Sequence, residues 1–246
     1  TTIHGTHHSL VQNNVAYHVM GHTYFVDDGD EMYNTFDSNI GIFTRPHHMM
    51  LKSDKEPATF WTAIPTNYWR NNIATDSSAR GCWFELFNQG ITLEFFNNTF
   101  HHNSGIGFRN YPNYSPPSPQ YFLNNSYFRN GGNGLFYKKG GDNHHVHSKF
   151  AQNGVDLFWK KYSTHDESRL IPNVKDCIFW GGRNAQAIFA PQAEYWYVDG
   201  AKFLNYGETT GAISACAGCC SPVTFKQGAY TYRFEGLEFE NSPVRT

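Results

Sequence analysis

Four carboxylates lie within five residues near the start of the chain: Asp27, Asp28, Asp30 and Glu31, with His22 just upstream. Carboxylates this close repel one another unless a proton or a cation lies among them. Three interpretations stay open. The four carboxylates form a calcium site, since hard cations take oxygen ligands. Alternatively, His22, Asp27, Asp28 and Glu31 supply general acid and base catalysis at a glycosidic bond. In the third, the segment is a polar turn whose side chains cap backbone amides.

A second group of residues has the chemistry needed to hold a sugar chain. Arg45 is a candidate anchor for an anionic substrate, and Lys160 and Lys161 are further cations. Aromatic side chains can stack on sugar faces if they are exposed. The aromatic candidates are Trp159, Trp180, Trp196 and Tyr197.

Cysteines and glycosylation motifs are further candidate modification sites. Asn-x-Ser/Thr motifs begin at Asn97, Asn113 and Asn124 and predict N-linked glycans. The odd number of cysteines leaves one thiol over if the others pair, and disulfides are expected outside the cell. The disulfide candidates are Cys82, Cys177, Cys216, Cys219 and Cys220.

Composition and charge narrow the function classes. Of the 246 residues, 17% are aromatic and only 16% are charged, with 19 basic and 21 acidic side chains. A chain of this kind buries a large core and is not disordered. A net charge of −2 without a basic run excludes the electrostatic mode of nucleic-acid binding. No apolar run is long enough to predict a membrane-spanning helix.

An internal repeat predicts the elements that position these residues. The segment Asn98-Thr-Phe100-His-His-Asn103 is echoed by Asn34-Thr-Phe36-Asp-Ser-Asn39, by residues 125–130 and by residues 148–153. Most steps between equivalent apolar residues are in the twenties, a period that indicates a solenoid. Asn and Gly recur at the corners because they tolerate left-handed backbone conformations.

Stacking of the repeats predicts an all-β fold, a right-handed single-stranded parallel β-helix of about nine coils. The hand follows from the general preference of parallel crossovers. We expect one repeat domain over residues 1–246, with insertions near 45–57 and 216–222. Asn103, Asn130 and Asn153 should form a ladder of amides at a bend, about 4.8 Å apart. The predicted internal apolar ladder is Phe36, Phe100, Tyr127, Phe150, Ile178 and Phe203.

The acidic segment resembles a motif of a known family. It reads Gly21-His22-Thr-Tyr-Phe25-Val-Asp-Asp28-Gly-Asp-Glu31-Met-Tyr-Asn34. It is similar to the fibrocystin-like proteins and the cell-migration-inducing hyaluronidases, where the pattern is roughly Gly-His-x-Phe-Phe-x-Glu-Asp-Gly-x-Glu-x-x-Asn. Asp27 stands where that pattern has Glu. A second block, residues 58–84, resembles the next coils of the same family.

The resemblance implies an extracellular or cell-surface parallel β-helix, in one branch with hyaluronan depolymerisation and in the other as a ciliary ectodomain. We expect a segment of a longer protein that acts as a structural, adhesive or glycan-binding scaffold. The alternative is an enzyme that depolymerises a hyaluronan-like glycosaminoglycan. Expected partners are other domains of the same protein, neighbouring subunits of an extracellular assembly, and glycans. Calcium is the one cofactor suggested, and a ciliary or flagellar location is included in the prediction.

Overall fold

The structure is a computed structural model that describes residues 1–49, 56–86, 90–111, 114, 116–160, 171–182, 186–191, 195–207, 212–214 and 231–242. Every regular element within these ranges is a short β-strand. The strands form three parallel sheets of nine strands each, and within each sheet every third strand of the chain is a neighbour. No helix among the described residues is long and apolar enough to cross a bilayer.

The strand bounds follow sheet by sheet. Sheet 1 contains β1 (Thr2–Ile3), β4 (Tyr24–Val26), β7 (Ala58–Thr62), β10 (Arg80–Glu85), β13 (Ile106–Tyr111), β16 (Asn133–Tyr137), β19 (Val155–Trp159), β22 (Gln186–Phe189) and β25 (Ile213–Ser214). Sheet 2 contains β2 (Leu10–Gln12), β5 (Thr35–Asp37), β8 (Tyr68–Arg70), β11 (Glu94–Phe96), β14 (Gln120–Leu123), β17 (Asn143–Val146), β20 (Val174–Lys175), β23 (Tyr195–Asp199) and β26 (Thr231–Glu235). Sheet 3 contains β3 (Val15–Tyr17), β6 (Ile40–Ile42), β9 (Ile73–Thr75), β12 (Thr99–His101), β15 (Ser126–Phe128), β18 (Lys149–Ala151), β21 (Ile178–Trp180), β24 (Lys202–Leu204) and β27 (Glu238–Glu240).

Three consecutive strands, one in each sheet, make one coil. Seven coils, from β4 to β24, have a neighbouring coil on both sides, and a terminal coil flanks them at each end. The predicted all-β parallel β-helix is therefore confirmed. The long step from β6 to β7 contains the first predicted insertion, whose residues 50–55 lie outside the described ranges. The second predicted insertion, 216–222, lies outside them entirely.

The corner between sheets 2 and 3 shows why Asn recurs in the sequence. Each coil places one residue with positive φ there, and Asn71, Asn97 and Asn124 are examples with φ of 57°, 53° and 55°. The left-handed region is accessible to Asn at little cost. This one residue turns the chain through the corner, and the residue that follows it points inward.

Asparagine amides, all buried except that of Asn14, form two ladders along the helix axis. At the second corner, after sheet 3, Asn103 Nδ2 donates to Asn130 Oδ1 over 2.9 Å, and Asn130 Nδ2 donates to Asn153 Oδ1 over 2.8 Å. The predicted amide ladder is thus confirmed. The first corner has an equivalent ladder of Asn14, Asn39, Asn72, Asn98 and Asn125. Because each amide both donates and accepts, a stack of them satisfies its own buried polar groups.

The core is a column of stacked rings. On sheet 3, Tyr127 and Phe150 stack with ring centres 4.9 Å apart, and Phe150 and Phe179 with centres 4.7 Å apart. Two members of the predicted ladder were placed wrongly. Ile178 is 38% exposed, because the alternation of the strand turns its neighbour Phe179 inward. Phe36 is buried but lies in sheet 2, stacked on Trp69, because both corners carry the same Asn-containing pattern.

Candidate functional site

The acidic cluster lies at the end of β4, where the chain leaves sheet 1. Ile3 pairs with Val26, so His4 on the first coil lies beside Asp27 on the second. His4 Nδ1 is 3.0 Å from Asp28 Oδ2 and 3.6 Å from Asp27 Oδ2. His4 and Asp28 are exposed, and Asp27 is half-buried. The site is an open corner where one imidazole contacts two carboxylates.

Glu31 lies beneath this corner and is fully buried. Its Oε1 accepts hydrogen bonds from the amides of Gly5 (3.2 Å) and Asp28 (3.1 Å), and its Oε2 accepts one from Gly29 (3.0 Å). Burial alone would raise the pKa of Glu31, but these amides outweigh it and hold the pKa below its ordinary value. Gly29 has a φ of 90°, which only glycine adopts freely. Glu31 therefore ties together two coils and is a poor general acid.

His22 lies at the other end of β4 from Asp27. Its Nδ1 accepts a hydrogen bond of 3.1 Å from the Ala58 amide, and its ring stacks on Phe25 and Trp61 with centroid distances of 5.1 and 5.5 Å. About 16 Å of extended backbone separates positions 22 and 27. The predicted catalytic set of His22, Asp27, Asp28 and Glu31 is therefore not gathered around one point. The structure brings His4, not His22, to the carboxylates.

Arg45 lies on the His22 side of sheet 1 as well. Its backbone bridges Met20, and its guanidinium stacks on the Phe43 ring at 3.3 Å from the centroid. The predicted substrate anchor is thus remote from Asp28, because β4 lies between them. An anion held by Arg45 would be held at the opposite end of the strand from the acidic corner.

One group of potential metal ligands is found among the described residues. Ligand atoms of His4, Asp28 and Glu31 all lie within 4.8 Å of one another. Two of the four predicted calcium ligands are in this group, whereas Asp27 and Asp30 are not. A set of one imidazole and two carboxylates is typical of zinc and other transition metals, while calcium takes six to eight oxygens. Calcium binding at the predicted four residues stays a prediction.

His4 was missed because it lies outside the cluster in sequence. The signal that could have found it is the repeat step between Thr2-Ile3 and Phe25-Val26, which are paired in sheet 1. Aligning those two strands places His4 opposite Asp27. The echo around the first strand was too weak to align from sequence.

A shallow groove crosses the outer face of sheet 3. Phe128, Ala151, Trp180 and Leu204 occupy successive coils in one register, so a small side chain lies between two aromatic ones. Trp180 is 49% exposed. Lys149 and Arg129 border a cavity of about 600 Å³ above Ala151. We call Phe128, Ala151, Trp180, Lys149 and Arg129 the sheet 3 notch.

The aromatic residues predicted to stack on sugars differ in how exposed they are. Trp180 is exposed as required, but Trp159, Trp196 and Tyr197 are buried. Trp159 is fully buried and stacks on Tyr137 with centroids 4.4 Å apart, so its predicted contact with substrate is wrong. The alternation of β19 turns Trp159 inward, while Lys160 after the strand is exposed. Lys161 lies outside the described residues.

The predicted modification sites have mixed outcomes. Cys82 and Cys177 are free thiols buried in the core, so they are not a disulfide pair; the other three candidates, Cys216, Cys219 and Cys220, lie outside the described residues. Asn97 and Asn124 are exposed at the same corner of adjacent coils, as the bond from the Asn97 amide to Leu123 shows. Their glycosylation stays a prediction. Asn113 lies outside the described residues.

Known proteins resemble this chain, including the acidic corner around His4, Asp27 and Asp28. The family model described as CEMIP beta-helix matches residues 1–57, which include the acidic corner. Fibrocystin-L of Mus musculus is 33% identical over 129 residues, which cover 47% of this chain and 3% of the relative. The resemblance to the fibrocystin-like and CEMIP β-helix family is confirmed. The acidic corner thus lies within the part of the chain that the family model matches.

Two further relatives extend the similarity beyond the first coils. Cell surface hyaluronidase CEMIP2 of Homo sapiens is 30% identical over 164 residues, 56% of this chain and 11% of the relative. The cell migration-inducing and hyaluronan-binding protein of Homo sapiens is 26% identical over 195 residues, 68% of this chain and 13% of the relative. The chain therefore spans only 3 to 13% of the length of these members of the β-helix family.

Proposed function

We propose that this chain is a β-helix module of an extracellular or cell-surface protein that binds a polysaccharide chain across sheet 3 without cleaving it. The observation that carries the proposal is the sheet 3 notch. Phe128 and Trp180 lie two coils apart, about 9.6 Å at the usual strand spacing. Between them, the position above Ala151 is open, where a third ring would continue the aromatic row.

The chemistry of the notch suits an anionic sugar. The apolar faces of sugar rings stack on aromatic side chains. Trp180 offers an exposed indole face, and Lys149 and Arg129 place cations at the edge. Lys149 has no ion pair among the described residues, and Arg129 is held in place by a bond of 3.0 Å from its Nε to Gln152 Oε1. A carboxylate or sulfate on the sugar would therefore meet available positive charge.

The relatives support an anionic glycan as the ligand. The names of two of them include hyaluronan binding and hyaluronidase activity. These names describe whole proteins many times longer than this chain, so the ligand of this module is part of the proposal. Contacts with other domains or neighbouring subunits, and a ciliary or flagellar location, stay predictions of the sequence.

Binding of fluorescently labelled hyaluronan oligosaccharides to the purified chain tests the proposal. We expect Trp180→Ala to weaken binding at least tenfold, because it removes the exposed stacking face. Ala151→Phe should weaken it similarly by filling the open position while keeping an aromatic surface. Tyr121→Ala is the matched control, since Tyr121 is 46% exposed but lies on sheet 2. Equal affinities for all four proteins would contradict the proposal.

A depolymerising enzyme is the second candidate, favoured by one contact. His4 Nδ1 lies 3.0 Å from Asp28 Oδ2 in an open corner, which is a geometry suited to proton transfer. Two observations weigh against it: Glu31 is engaged by three amides, and Arg45 lies at the other end of β4. The length of hyaluronan chains should stay constant on incubation with the protein. Shortening that disappears in Asp28→Asn would establish the enzyme instead.

A further inference from the structure

A cluster of cations on the outer face of sheet 1 has no part in the proposed function. Arg80 begins β10, and Arg109 lies in β13 on the next coil. Both arginines contact the same oxygen of Glu56. Arg80 Nη2 is 2.5 Å and Arg109 Nη1 is 2.6 Å from Glu56 Oε2. Glu56 belongs to the predicted insertion that precedes β7, so the carboxylate comes from a segment outside the coils.

The two arginines are built into the surface, whereas Glu56 is not. Their side chains are only 13% and 16% exposed, while that of Glu56 is 45% exposed. The Arg109 guanidinium lies over the rings of Trp83, at 4.4 Å, and Tyr111, at 4.7 Å. Aromatic faces on this side fix the plane of the guanidinium and reduce its hydration.

Positive charge and unused donors remain after Glu56 is counted. Lys138 lies beside the pair, with its Nζ 2.7 Å from the Tyr111 hydroxyl, and Glu85 is the other carboxylate nearby. Three cations thus face two carboxylates. Arg80 Nε, Arg109 Nε and the Trp83 indole N–H are buried donors without an acceptor in the described part of the chain. Burial, together with the charge of Arg109, lowers the pKa of Arg80 despite the attraction of Glu56.

We propose that Arg80 and Arg109 form an oxyanion site for a carboxylate-bearing ligand, and that Glu56 occupies this site as an internal competitor. Arginine forks bind carboxylates with two parallel hydrogen bonds when the geometry allows. Glu56 satisfies both arginines with a single oxygen, which leaves their Nε donors unused. A free carboxylate approaching without the constraint of the chain can place one oxygen on each guanidinium, at the Nη groups that Glu56 now shares.

Glu56 is then the residue that limits the affinity of the two arginines for an external carboxylate. Removing its charge frees two pre-oriented guanidinium groups, so binding of an external carboxylate should strengthen. The site lies on sheet 1 and the notch on sheet 3, so the two binding events are separate. Loss of hyaluronan binding at the notch would leave this proposal standing, and the reverse holds as well.

Titration of the folded chain with sodium D-glucuronate, followed by NMR of the arginine Nε–H and tryptophan indole N–H signals, tests the site. We expect Glu56→Gln to bind at least tenfold more tightly than the unchanged protein, with the signals of Arg109 and Trp83 shifting. Glucose, which has no carboxylate, should cause no shift. Glu94→Gln is the matched control, because Glu94 pairs with the single arginine Arg70 at 3.1 Å and its loss opens no two-arginine site.

Two further variants decide the outcome. Glu56→Gln combined with Arg109→Gln should lose the gain, and binding that survives this change would overturn the proposal, as would a Glu56→Gln protein that binds no better. If circular dichroism showed that Glu56→Gln does not fold, the comparison would be between the unchanged protein and Arg109→Gln at high glucuronate. A saturable shift lost in Arg109→Gln would then support the site, and no shift in either would overturn it.

Discussion

Two buried carboxylates, Glu31 and Asp156, have the same exposure but opposite electrostatic behaviour. Both are fully buried, yet the pKa of Glu31 is lowered and that of Asp156 is raised to about 7. Glu31 accepts hydrogen bonds from three backbone amides, which lie on two coils. Asp156 ends the amide ladder, where burial dominates over the bonds it accepts from the Tyr206 hydroxyl and from Asn153.

Both carboxylates accept three hydrogen bonds, so the balance between these donors and the loss of hydration, and not the number of donors alone, decides whether a buried carboxylate stays charged. Three N–H groups fixed by the backbone stabilise the charge of Glu31 without reorganisation. Asp156 replaces an asparagine as the last acceptor of the ladder, a position that needs oxygen lone pairs but not a charge. At neutral pH, Glu31 is therefore charged and stabilises its loop, whereas the ionisation of Asp156 lowers the stability of the fold at the same pH.

Removing Glu31, the carboxylate that links two coils, should have the largest effect on stability. Glu31→Ala leaves the amides of Gly5, Asp28 and Gly29 without their acceptor, so we expect a loss of about 3–5 kcal/mol of unfolding free energy. Urea unfolding followed by circular dichroism measures it. Asp30→Ala is the control, because Asp30 is exposed in the same loop and should cost less than about 0.5 kcal/mol. Equal urea midpoints for the two variants would show that the hydrogen bonds of Glu31 to the three amides do not stabilise the fold.

The pH dependence of stability separates the two carboxylates. Because the folded pKa of Asp156 is about 7 and its ordinary value is 3.8, the folded chain holds a proton that the unfolded chain has lost. Its contribution is fully present below pH 4 and is lost as the pH rises through 7, by at most about 4 kcal/mol. Glu31, with a lowered pKa, contributes in the opposite sense and loses its contribution only as the pH falls below its ordinary range.

Asp156→Asn should therefore flatten the profile between pH 5 and pH 8 and raise stability at pH 8. The amide keeps an oxygen for Asn153 and a donor for the Tyr206 oxygen. His145 contributes oppositely, because burial lowers its pKa to about 3, so the readout is the difference between variant and unchanged protein at each pH. Urea midpoints at pH 5, 6, 7 and 8 supply it. Parallel profiles would mean that Asp156 stays ionised in the folded chain.

The same two regions show how far sequence reasoning reaches. The repeat predicted the β-helix and the amide ladder, because Asn103, Asn130 and Asn153 recur at a regular step and a periodic pattern implies periodic structure. The repeat did not predict the placement of individual side chains. The register error at Ile178, the inward turn of Trp159 and the pairing of His4 with Asp28 each depend on a shift of one residue in a short strand.

The roles of individual carboxylates were also beyond the sequence. Asp28 and Glu31 lie three residues apart in one acidic run, and composition treats them alike. The role of each depends on which backbone amides surround it. One of the three partners of Glu31, the Gly5 amide, comes close to it only when the first coil is stacked on the second. Likewise, the Arg80–Glu56 contact joins a coil to an insertion of irregular sequence, which no repeat predicts.

The smallest effect on stability should come from Asp28, the exposed carboxylate of the acidic corner. The His4–Asp28 pair has side-chain exposures of 65% and 57%, and such pairs contribute less than about 1 kcal/mol. Asp28→Asn should therefore unfold within about 0.5 kcal/mol of the unchanged protein, in contrast to Glu31→Ala. Because the fold is preserved, any change that Asp28→Asn causes in metal binding or in the length of hyaluronan chains would report chemistry at the corner. A large loss of stability would instead mean that Asp28 shares the structural role of Glu31, and the division between an open carboxylate and a buried clamp would have to be abandoned.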